Sequence, residues 1–221
     1  MALTKVDKTL LETTGTASAT TFLRGDGSWT APASGGLAGV QVYTAGGTWT
    51  KATRESALGV TITKVIVEVQ GAGGSGSASV NYGGGAAGGF AKKLVDVSSV
   101  TASTITVGAG GVGLGAGGGA GNAGGLSSWA DSVNTDVVGN GGAGKPDSGS
   151  TGAGGTATGG DINITGGLGP TGHGAGSNIY GNGSIPQTND GQGYGSGGGN
   201  GYSSYASGAG GSGIVIVQEY K

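Results

Sequence analysis

Apolar and polar residues alternate in several short stretches between residues 39 and 107. In Lys64–Gln70 a valine occupies every second position, which places three valines on one face of a β-strand. Similar patterns predict strands over Val40–Tyr43, Thr48–Thr50, Phe90–Val97 and Ser103–Val107. A helical pattern is weak and confined to Lys5–Leu11, so we predict an all-β fold.

The last apolar stretch, Gly213–Tyr220, has a different pattern. Its residues 214–217 are consecutively apolar, so both faces of the strand would be buried. This pattern is typical of a central strand that lies between two neighbours. Together with the strands of residues 39–107, it predicts a β-sandwich-like platform.

Glycine sets the character of the chain between these strands. There are 58 glycines, nine in residues 1–70 and 49 in residues 71–213, roughly a third of that stretch against the usual ~7%. Glycine brings no side chain to a core, so the stretch is either disordered or held by backbone packing. Its low charge argues against an ordinary disordered segment. The main tracts are Gly108–Gly125, Gly139–Gly144, Gly152–Gly160, Gly166–Gly176, Gly191–Gly201 and Gly208–Gly213.

Three consecutive glycines at 117–119 break any strict Gly-X-Y repeat, which excludes collagen. Glycine tracts can instead form extended left-handed helices of the polyproline-II type that pack side by side. We predict such a bundle, inserted at 108–212 between platform strands of residues 39–107 and 213–221. A branched side chain at a position such as Gly118 should not fit.

The chain divides on composition into two parts, an N-terminal attachment segment of residues 1–38 and a glycine-rich β domain of residues 39–221. Within the first part, Gly25–Gly27 predicts a tight turn between two short extended pieces.

Charge and residue chemistry exclude several classes of function. Ten basic and twelve acidic residues leave no basic patch, so we expect no nucleic-acid binding. Cysteine is absent and His173 is the only histidine, so we predict no enzyme, no cofactor and no metal site. A carboxylate pair among the aspartates and a calcium loop near Thr188–Gln192 remain as alternatives. Gly139–Lys145 matches the start of a phosphate-binding loop, but Pro146 stands where a hydroxyl is needed.

The interruptions between glycine tracts are candidate recognition loops, since tyrosine and asparagine on a stiff support bind with little loss of entropy. They are Ser75–Tyr82, Leu126–Val138, Lys145–Thr151, Asp161–Thr165, Ser177–Asp190 and Tyr202–Ala206. The candidate receptor-binding residues are Asn81, Tyr82, Asn178, Tyr180, Asn182, Gln187, Asn189, Tyr202 and Tyr205. Ser177–Asp190 is the longest loop and the strongest candidate. The alternative is that such aromatic residues cap the glycine bundle, which we expect for Trp129.

Two regions of the sequence resemble a known family. Thr21–Pro32, with its Phe-Leu-Arg-Gly-Asp-Gly-Ser-Trp core, resembles a short repeat of bacteriophage tail fibres. Gly47–Lys51, Val67–Gly74, Thr104–Gly111 and Gly211–Tyr220 are similar, in that order, to the glycine-rich C-terminal domain of tail-fibre proteins. The resemblance covers nearly the whole chain from Phe22 on.

The resemblance implies a polyglycine-helix adhesin of a homotrimeric fibre, carried on the virion and made in the host cytoplasm. Its partner would be a bacterial outer-surface protein or polysaccharide, and residues 1–38 would attach it to other virion tail or fibre proteins. Two alternatives stand beside this prediction. One is a purely structural virion component, such as a head fibre or a baseplate decoration. The other is a polysaccharide depolymerase.

Overall fold

A computed structural model describes residues 21–23, 28–30, 35–79, 83–172, 174–184, 189–202 and 204–221 of the chain. The chain forms two compact units, residues 1–36 and residues 37–221. The division falls where the strand Leu37–Tyr43 begins, two residues before the end of the predicted attachment segment. The predicted helical stretch Lys5–Leu11 and the turn Gly25–Gly27 lie outside the described residues.

In the first unit, two short strands pair. Strand β1 (Phe22–Leu23) is antiparallel to β2 (Trp29–Thr30), with Phe22 opposite Thr30 and Leu23 opposite Trp29. These strands are the two extended pieces that the sequence predicts on either side of a turn.

The second unit contains one helix and twelve strands among its described residues. The helix is α1 (Lys51–Leu58). The strands are β3 (Leu37–Tyr43), β4 (Gly47–Thr50), β5 (Lys64–Gln70), β6 (Phe90–Asp96), β7 (Ala102–Thr106), β8 (Ser127–Ala130), β9 (Val137–Gly139), β10 (Ala157–Thr158), β11 (Ile162–Ile164), β12 (Gly181–Asn182), β13 (Gln192–Gly193) and β14 (Ile214–Tyr220). The predicted all-β class is confirmed.

Ten of these strands form two antiparallel sheets of five. Sheet 1 has the order β11-β6-β5-β14-β3, and sheet 2 has the order β10-β9-β8-β7-β4. Strands β5, β6 and β14 of sheet 1 contact β8 and β9 of sheet 2, so the sheets form a sandwich. Strand β14 lies between β5 and β3, which confirms its predicted place between two neighbours.

The core between the sheets follows from the alternation along each strand. Val65, Val67 and Val69 of β5 are fully buried, as the valine pattern predicts. They pack in one cluster with the indole rings of Trp49 and Trp129, whose centroids are 5.3 Å apart. Each indole also has a polar partner, because Trp49 donates to Glu219 at 2.8 Å and Trp129 donates to Asp131 at 2.9 Å.

Two predictions about the interruptions between glycine tracts are wrong. Trp129 does not cap the glycine bundle but fills the core of the sandwich, since it lies on β8. The predicted loops Leu126–Val138 and Asp161–Thr165 also contain strands, namely β8 and β9 in the first and β11 in the second. The platform therefore takes strands from inside the glycine-rich region as well as from residues 39–107 and 213–221.

Helix α1 was not predicted, because it is short and buries none of its residues. It ends at Gly59, whose left-handed conformation (φ 66°) lets its N–H bond the carbonyl of Glu55. Arg54 of this helix donates two hydrogen bonds of 2.8 Å to the buried carboxylate of Glu219. The helix thus supplies the cation that pairs with a carboxylate buried in the sandwich.

Between the strands, the glycine tracts hydrogen-bond to one another in a period of three residues. Residues 71–78 show this most fully: every third amide donates to the same neighbouring tract. Gly71, Gly74 and Ser77 donate to residues 83–89; Ala72, Ser75 and Ala78 donate to residues 119–125; Gly73 and Gly76 donate to residues 208–211. Three residues per turn is the period of a polyproline-II helix. We call the tracts bonded in this way the glycine block.

The tracts approach so closely that most of their glycines have no room for a side chain. A Cβ atom built on Gly74 would lie 2.2 Å from the carbonyl oxygen of Ala143, and one on Gly85 would lie 2.0 Å from that of Gly74. Gly118 is different, because it lies in an exposed turn where its N–H bonds Gly115. A Cβ on Gly118 would still lie 2.8 Å from the carbonyl oxygen of Gly115 and 2.9 Å from Cβ of Leu114, so a branched side chain does not fit there, as predicted. The expected reason is wrong at Gly118, because the obstacle is its own turn, whereas at Gly74 it is a neighbouring tract.

Candidate functional site: the far end of the glycine block

The glycine tracts pass back and forth between the sandwich and a far end. Residues 71–78 leave the end of β5, and residues 83–89 return to the start of β6. Their register is antiparallel, because Gly71 bonds Gly89 and Ser77 bonds Gly83. Gly71 and Gly89 therefore lie beside the sandwich, and Ala78 and Gly83 lie at the opposite end of the block.

Other connections lie at this same far end. Ala78 forms a β-bridge with Gly119, and Gly83 forms one with Thr171. Ser77 accepts a hydrogen bond from the amide of Gly201, and Ser75 accepts one from that of Lys145. The far end therefore carries Ser79 together with the described turns around residues 115–119, 146–151, 170–172 and 202–206.

Among the residues that the structure describes, Tyr202 and Tyr205 are exposed at this end. Tyr202 and Tyr205 form a tight turn in which the amide of Tyr205 donates to the carbonyl of Tyr202 at 2.7 Å. Their exposed fractions are 42% and 58%. The turn is anchored on both sides, since Gly201 bonds Ser77 and Ser207 bonds Leu114. Aromatic side chains on a fixed backbone provide contact area at little entropic cost.

Lys145 contributes to the interior of the far end rather than to its surface. Its side chain is fully buried, and its ammonium group donates to the carbonyl of Pro146 at 3.0 Å. Gly83 leaves the space for its stem, because a Cβ there would lie 2.4 Å from Cε of Lys145. Burial lowers the pKa of Lys145, and nearby Asp147 partly opposes that shift. The residues that imitate a phosphate-binding loop are thus part of the packed block.

The turn around Tyr180 lies at the other end, against the sandwich. Strands β12 and β13 pair there, and Asn178 donates to the carbonyl of Tyr194 at 3.0 Å. The Tyr180 ring packs on Phe90 with 5.8 Å between centroids, and its hydroxyl donates to Glu68 of β5. Burial, followed by this hydrogen bond, raises the pKa of Tyr180. Asn178, Tyr180 and Asn182 are therefore separated from Tyr202 and Tyr205 by the length of the block.

The predicted loop Ser177–Asp190 is not one loop. It begins with the Tyr180 turn and continues through Gly183 and Ser184, which are buried, with Ser184 donating to Gly197. Asn189 is exposed, and its carbonyl accepts a hydrogen bond from the amide of Gly199. Gly199 belongs to a tract that runs to the far end. Of the other candidates, Asn81, Tyr82 and Gln187 lie outside the described residues, as does His173.

The sequence alone did not reveal two of the far-end turns. Residues 115–119 and 170–172 lie inside stretches that look like continuous glycine tract. Gly117, Gly119 and Gly172 have φ of 76°, 81° and 91°, but neighbouring glycines hide that signal in the sequence. Pro170 was the one available indication of a turn.

Among the described residues, no group of three or more histidine, cysteine, aspartate or glutamate side chains could hold a metal ion. In the same part of the chain, no helix has the length and apolarity needed to cross a bilayer. No protein-family model matches the sequence, and a search of curated proteins found no relative.

Proposed function

We propose that this chain is a non-catalytic bacteriophage adhesin, a tail-fibre tip or a short tail fibre. It binds a bacterial surface protein or polysaccharide through the far end of the glycine block. In this proposal the glycine tracts are polyproline-II-type helices, the fibre is a homotrimer, and residues 1–38 attach it to other virion proteins. The observation that carries the proposal is the pair of exposed tyrosines, Tyr202 and Tyr205, on a block fixed by backbone hydrogen bonds.

The support is physical. A receptor-binding surface needs side chains that gain contact without losing much conformational freedom. The far end offers this, because its turns are short and are anchored to tracts held by backbone hydrogen bonds. In residues 71–78, for example, every third amide donates to the same neighbouring tract. The family resemblance of the sequence to glycine-rich tail-fibre tips agrees with such a use.

The proposal is tested by adsorption of the purified protein to a panel of bacterial strains, comparing Tyr202→Ala and Tyr205→Ala with the parent. Truncation of an aromatic anchor should weaken adsorption by roughly thirtyfold, the equivalent of about 2 kcal/mol. Tyr194→Ala is the matched control, since Tyr194 is 37% exposed but lies at the sandwich end. The melting temperature of each variant shows whether its fold is intact.

Two outcomes would contradict the proposal. If folded variants at Tyr202, Tyr205 and the other far-end turns all adsorb like the parent, binding does not use this end. If the parent adsorbs to no strain, the structural alternative, a head fibre or baseplate decoration, replaces the adhesin. Release of sugars from a capsule or lipopolysaccharide by the parent would instead indicate the depolymerase alternative.

A further inference from the structure

The outer surface of sheet 2 forms the floor of a groove. Trp49 and Trp129 point into the core, so the residues next to them along β4 and β8 point outward. The cross-strand register places Thr104 of β7 between Thr48 on one neighbouring strand and Ala130 on the other. These side chains are short, so a flat ligand fits against them.

The connection between β8 and β9 forms the wall of this groove, to which it contributes Asp131, Ser132 and Asp136. The groove has a volume of about 410 Å³, near the lower end of the ~300–1,000 Å³ that is typical of ligand pockets. Such a size suits a small molecule or a short chain of small units, not a folded protein. Glycine tracts precede β8 and follow β9, so the connection lies at the end of the sandwich away from the glycine block. We call it the sheet 2 groove.

The sheet 2 groove presents polar groups that are not bonded within the chain. In the part of the chain that the structure describes, the hydroxyls of Thr48, Thr104 and Ser132 have no hydrogen-bond partner. The carboxylate of Asp136 has neither a hydrogen bond nor an ion pair in that same part. All four residues are exposed. A ligand that covers them must therefore supply partners, because an unpaired polar group is costly to bury.

Asp131, by contrast, has a structural role in the groove. One of its oxygens accepts hydrogen bonds from the amides of Val133 at 2.8 Å and Asn134 at 2.6 Å, and the other accepts from the indole of Trp129 at 2.9 Å. These bonds fix the β8–β9 connection and leave Asp136 as the available carboxylate. Hydrolysis of a glycosidic bond uses two carboxyl groups that both act on the substrate. The groove is therefore suited to binding and not to cleavage.

The charge and chemistry of the lining indicate the class of ligand. Among the described residues no lysine or arginine lines the groove, and the carboxylates of Asp131 and Asp136 would repel an anion. A saccharide offers hydroxyls that both donate and accept hydrogen bonds, and an amino group on it would pair with Asp136. We propose that the sheet 2 groove is a second binding site, which takes neutral or amino-bearing sugar units. This site goes beyond the proposed function, which places binding at the far end of the glycine block.

Titration of the full chain with methyl glucoside, glucosamine and glucuronic acid, followed by NMR, tests this inference. The first two sugars should shift the amide signals of Thr104, Ala130 and Asp136 in a saturable manner. Glucosamine should bind at least about tenfold more tightly than glucuronic acid, because only its charge is opposite to that of the groove. If no sugar shifts these signals, or if glucuronic acid binds as tightly as glucosamine, the inference is wrong.

Two variants that keep the shape of the groove sharpen the test. Asp136→Asn should weaken glucosamine binding by about tenfold and methyl glucoside binding much less. Thr104→Val should weaken the binding of both sugars by roughly three- to tenfold, since it removes a hydroxyl. Thr158→Val is the matched control, because Thr158 is an exposed threonine of the same sheet outside the groove. The melting temperature of each variant shows that it is folded, and folded Thr104→Val and Thr158→Val proteins with the same affinity would contradict the proposal.

A further titration separates a sugar from a protein ligand. N-acetyl-lysine amide has a cationic group but no sugar hydroxyls, so it should bind more weakly than glucosamine; tighter binding would assign the groove to a protein partner and overturn the inference. Tyr202→Ala, at the far end, should leave all these titrations unchanged. Because no bacterial cells are involved, failure of sugar binding in the groove would leave the proposed far-end adsorption standing, and the converse also holds.

Discussion

The sandwich and the glycine block are stabilised by different parts of the same chain. In the sandwich, large side chains such as Trp49, Trp129 and Val67 fill the space between two sheets. In the block, residues 71–78 and 83–89 are buried throughout, yet they contain only glycine, alanine and serine. Their contacts are backbone hydrogen bonds and close backbone packing. The sandwich should therefore be sensitive to the loss of atoms, and the block to their addition.

This difference has an energetic reason. Each backbone hydrogen bond contributes only about 0.5–1.5 kcal/mol net, whereas ordering a residue costs roughly 1–2 kcal/mol, and more for glycine. A tract with few side chains therefore depends on having nearly all its amides bonded at once. One misplaced group in the block would break several bonds in neighbouring tracts.

The largest effect is expected for Gly74→Val. A Cβ at Gly74 would lie 2.2 Å from the carbonyl oxygen and 2.4 Å from the carbonyl carbon of Ala143, so two tracts would have to separate. We expect a loss of more than about 4 kcal/mol in the free energy of unfolding, or no folded protein. Thermal unfolding followed by circular dichroism measures it. Gly115→Ala is the control, since no atom lies within 4 Å of a Cβ there; equal stability of the two variants would show that the tracts do not pack closely.

The next largest effect should come from removing atoms in the sandwich. Trp129→Ala deletes a fully buried indole that packs on Trp49 and bonds Asp131. We expect a loss of about 3–5 kcal/mol, measured by denaturant unfolding. Val133→Ala, at an exposed position in the same β8–β9 connection, should change stability little. A Trp129→Ala variant as stable as the parent would contradict the position of this side chain in the core.

The stability of the sandwich should also depend on pH, through the carboxyl group of Asp131. Burial opposes ionisation of Asp131, but the N–H donors of Asn134, Trp129 and Val133 outweigh it and lower the pKa of Asp131. A carboxyl with a lowered folded pKa stabilises the fold above its unfolded pKa of ~4, and that stability is lost as the pH falls through the folded value.

Asp131→Asn should therefore destabilise the protein by about 1–3 kcal/mol at neutral pH, since one amide cannot accept from donors on both sides. Its stability should also fall less steeply than that of the parent as the pH is lowered below about 4. Chemical denaturation over a series of pH values measures both. Parallel curves for parent and variant would show that Asp131 does not contribute to acid unfolding.

The smallest effect is expected where the two regions meet, at Tyr180. Tyr180→Phe removes the hydroxyl that bonds Glu68 but keeps the ring that packs on Phe90. Burial opposes ionisation of Glu68, but hydrogen bonds from Lys92 and Tyr180 outweigh it and lower the pKa of Glu68. The variant should lose about 0.5–1.5 kcal/mol of stability and adsorb to cells like the parent. Tyr194→Phe, at an exposed tyrosine, is the control; reduced adsorption by a stable Tyr180→Phe protein would move the binding site to the sandwich end.

The sequence predicted the elements whose own residues carry a clear pattern. The valines of β5 and the consecutive apolar residues of β14 identify both strands and their burial. Strands β8 and β9 have no such pattern, because their burial depends on partners such as Trp49 that lie far away in the chain. Tyr180 and Phe90 show the same limit, because their rings pack together although they lie far apart in the chain.

The candidate site was predictable only in its chemistry. Tyr202 and Tyr205 were among the candidate residues because tyrosines between glycine tracts are typical of recognition loops. Their separation from Tyr180 depends on the direction of each tract, which is set by hydrogen-bond register between backbones. Glycine has no side chain that could indicate this register, so the sequence could not assign each loop to an end of the block.

Hydrogen exchange at individual amides tests the central claim most directly, namely that the glycine tracts form a folded block bonded through their backbones. The amides of Gly73 and Gly74 donate to Gly211 and Ala86 at 2.9 Å, and both residues are buried. We expect NMR to show them protected to a degree similar to Val67 in β5, while exposed Gly115 exchanges rapidly. Exchange of Gly73 and Gly74 at the rate of an unfolded chain, with Val67 still protected, would contradict the account.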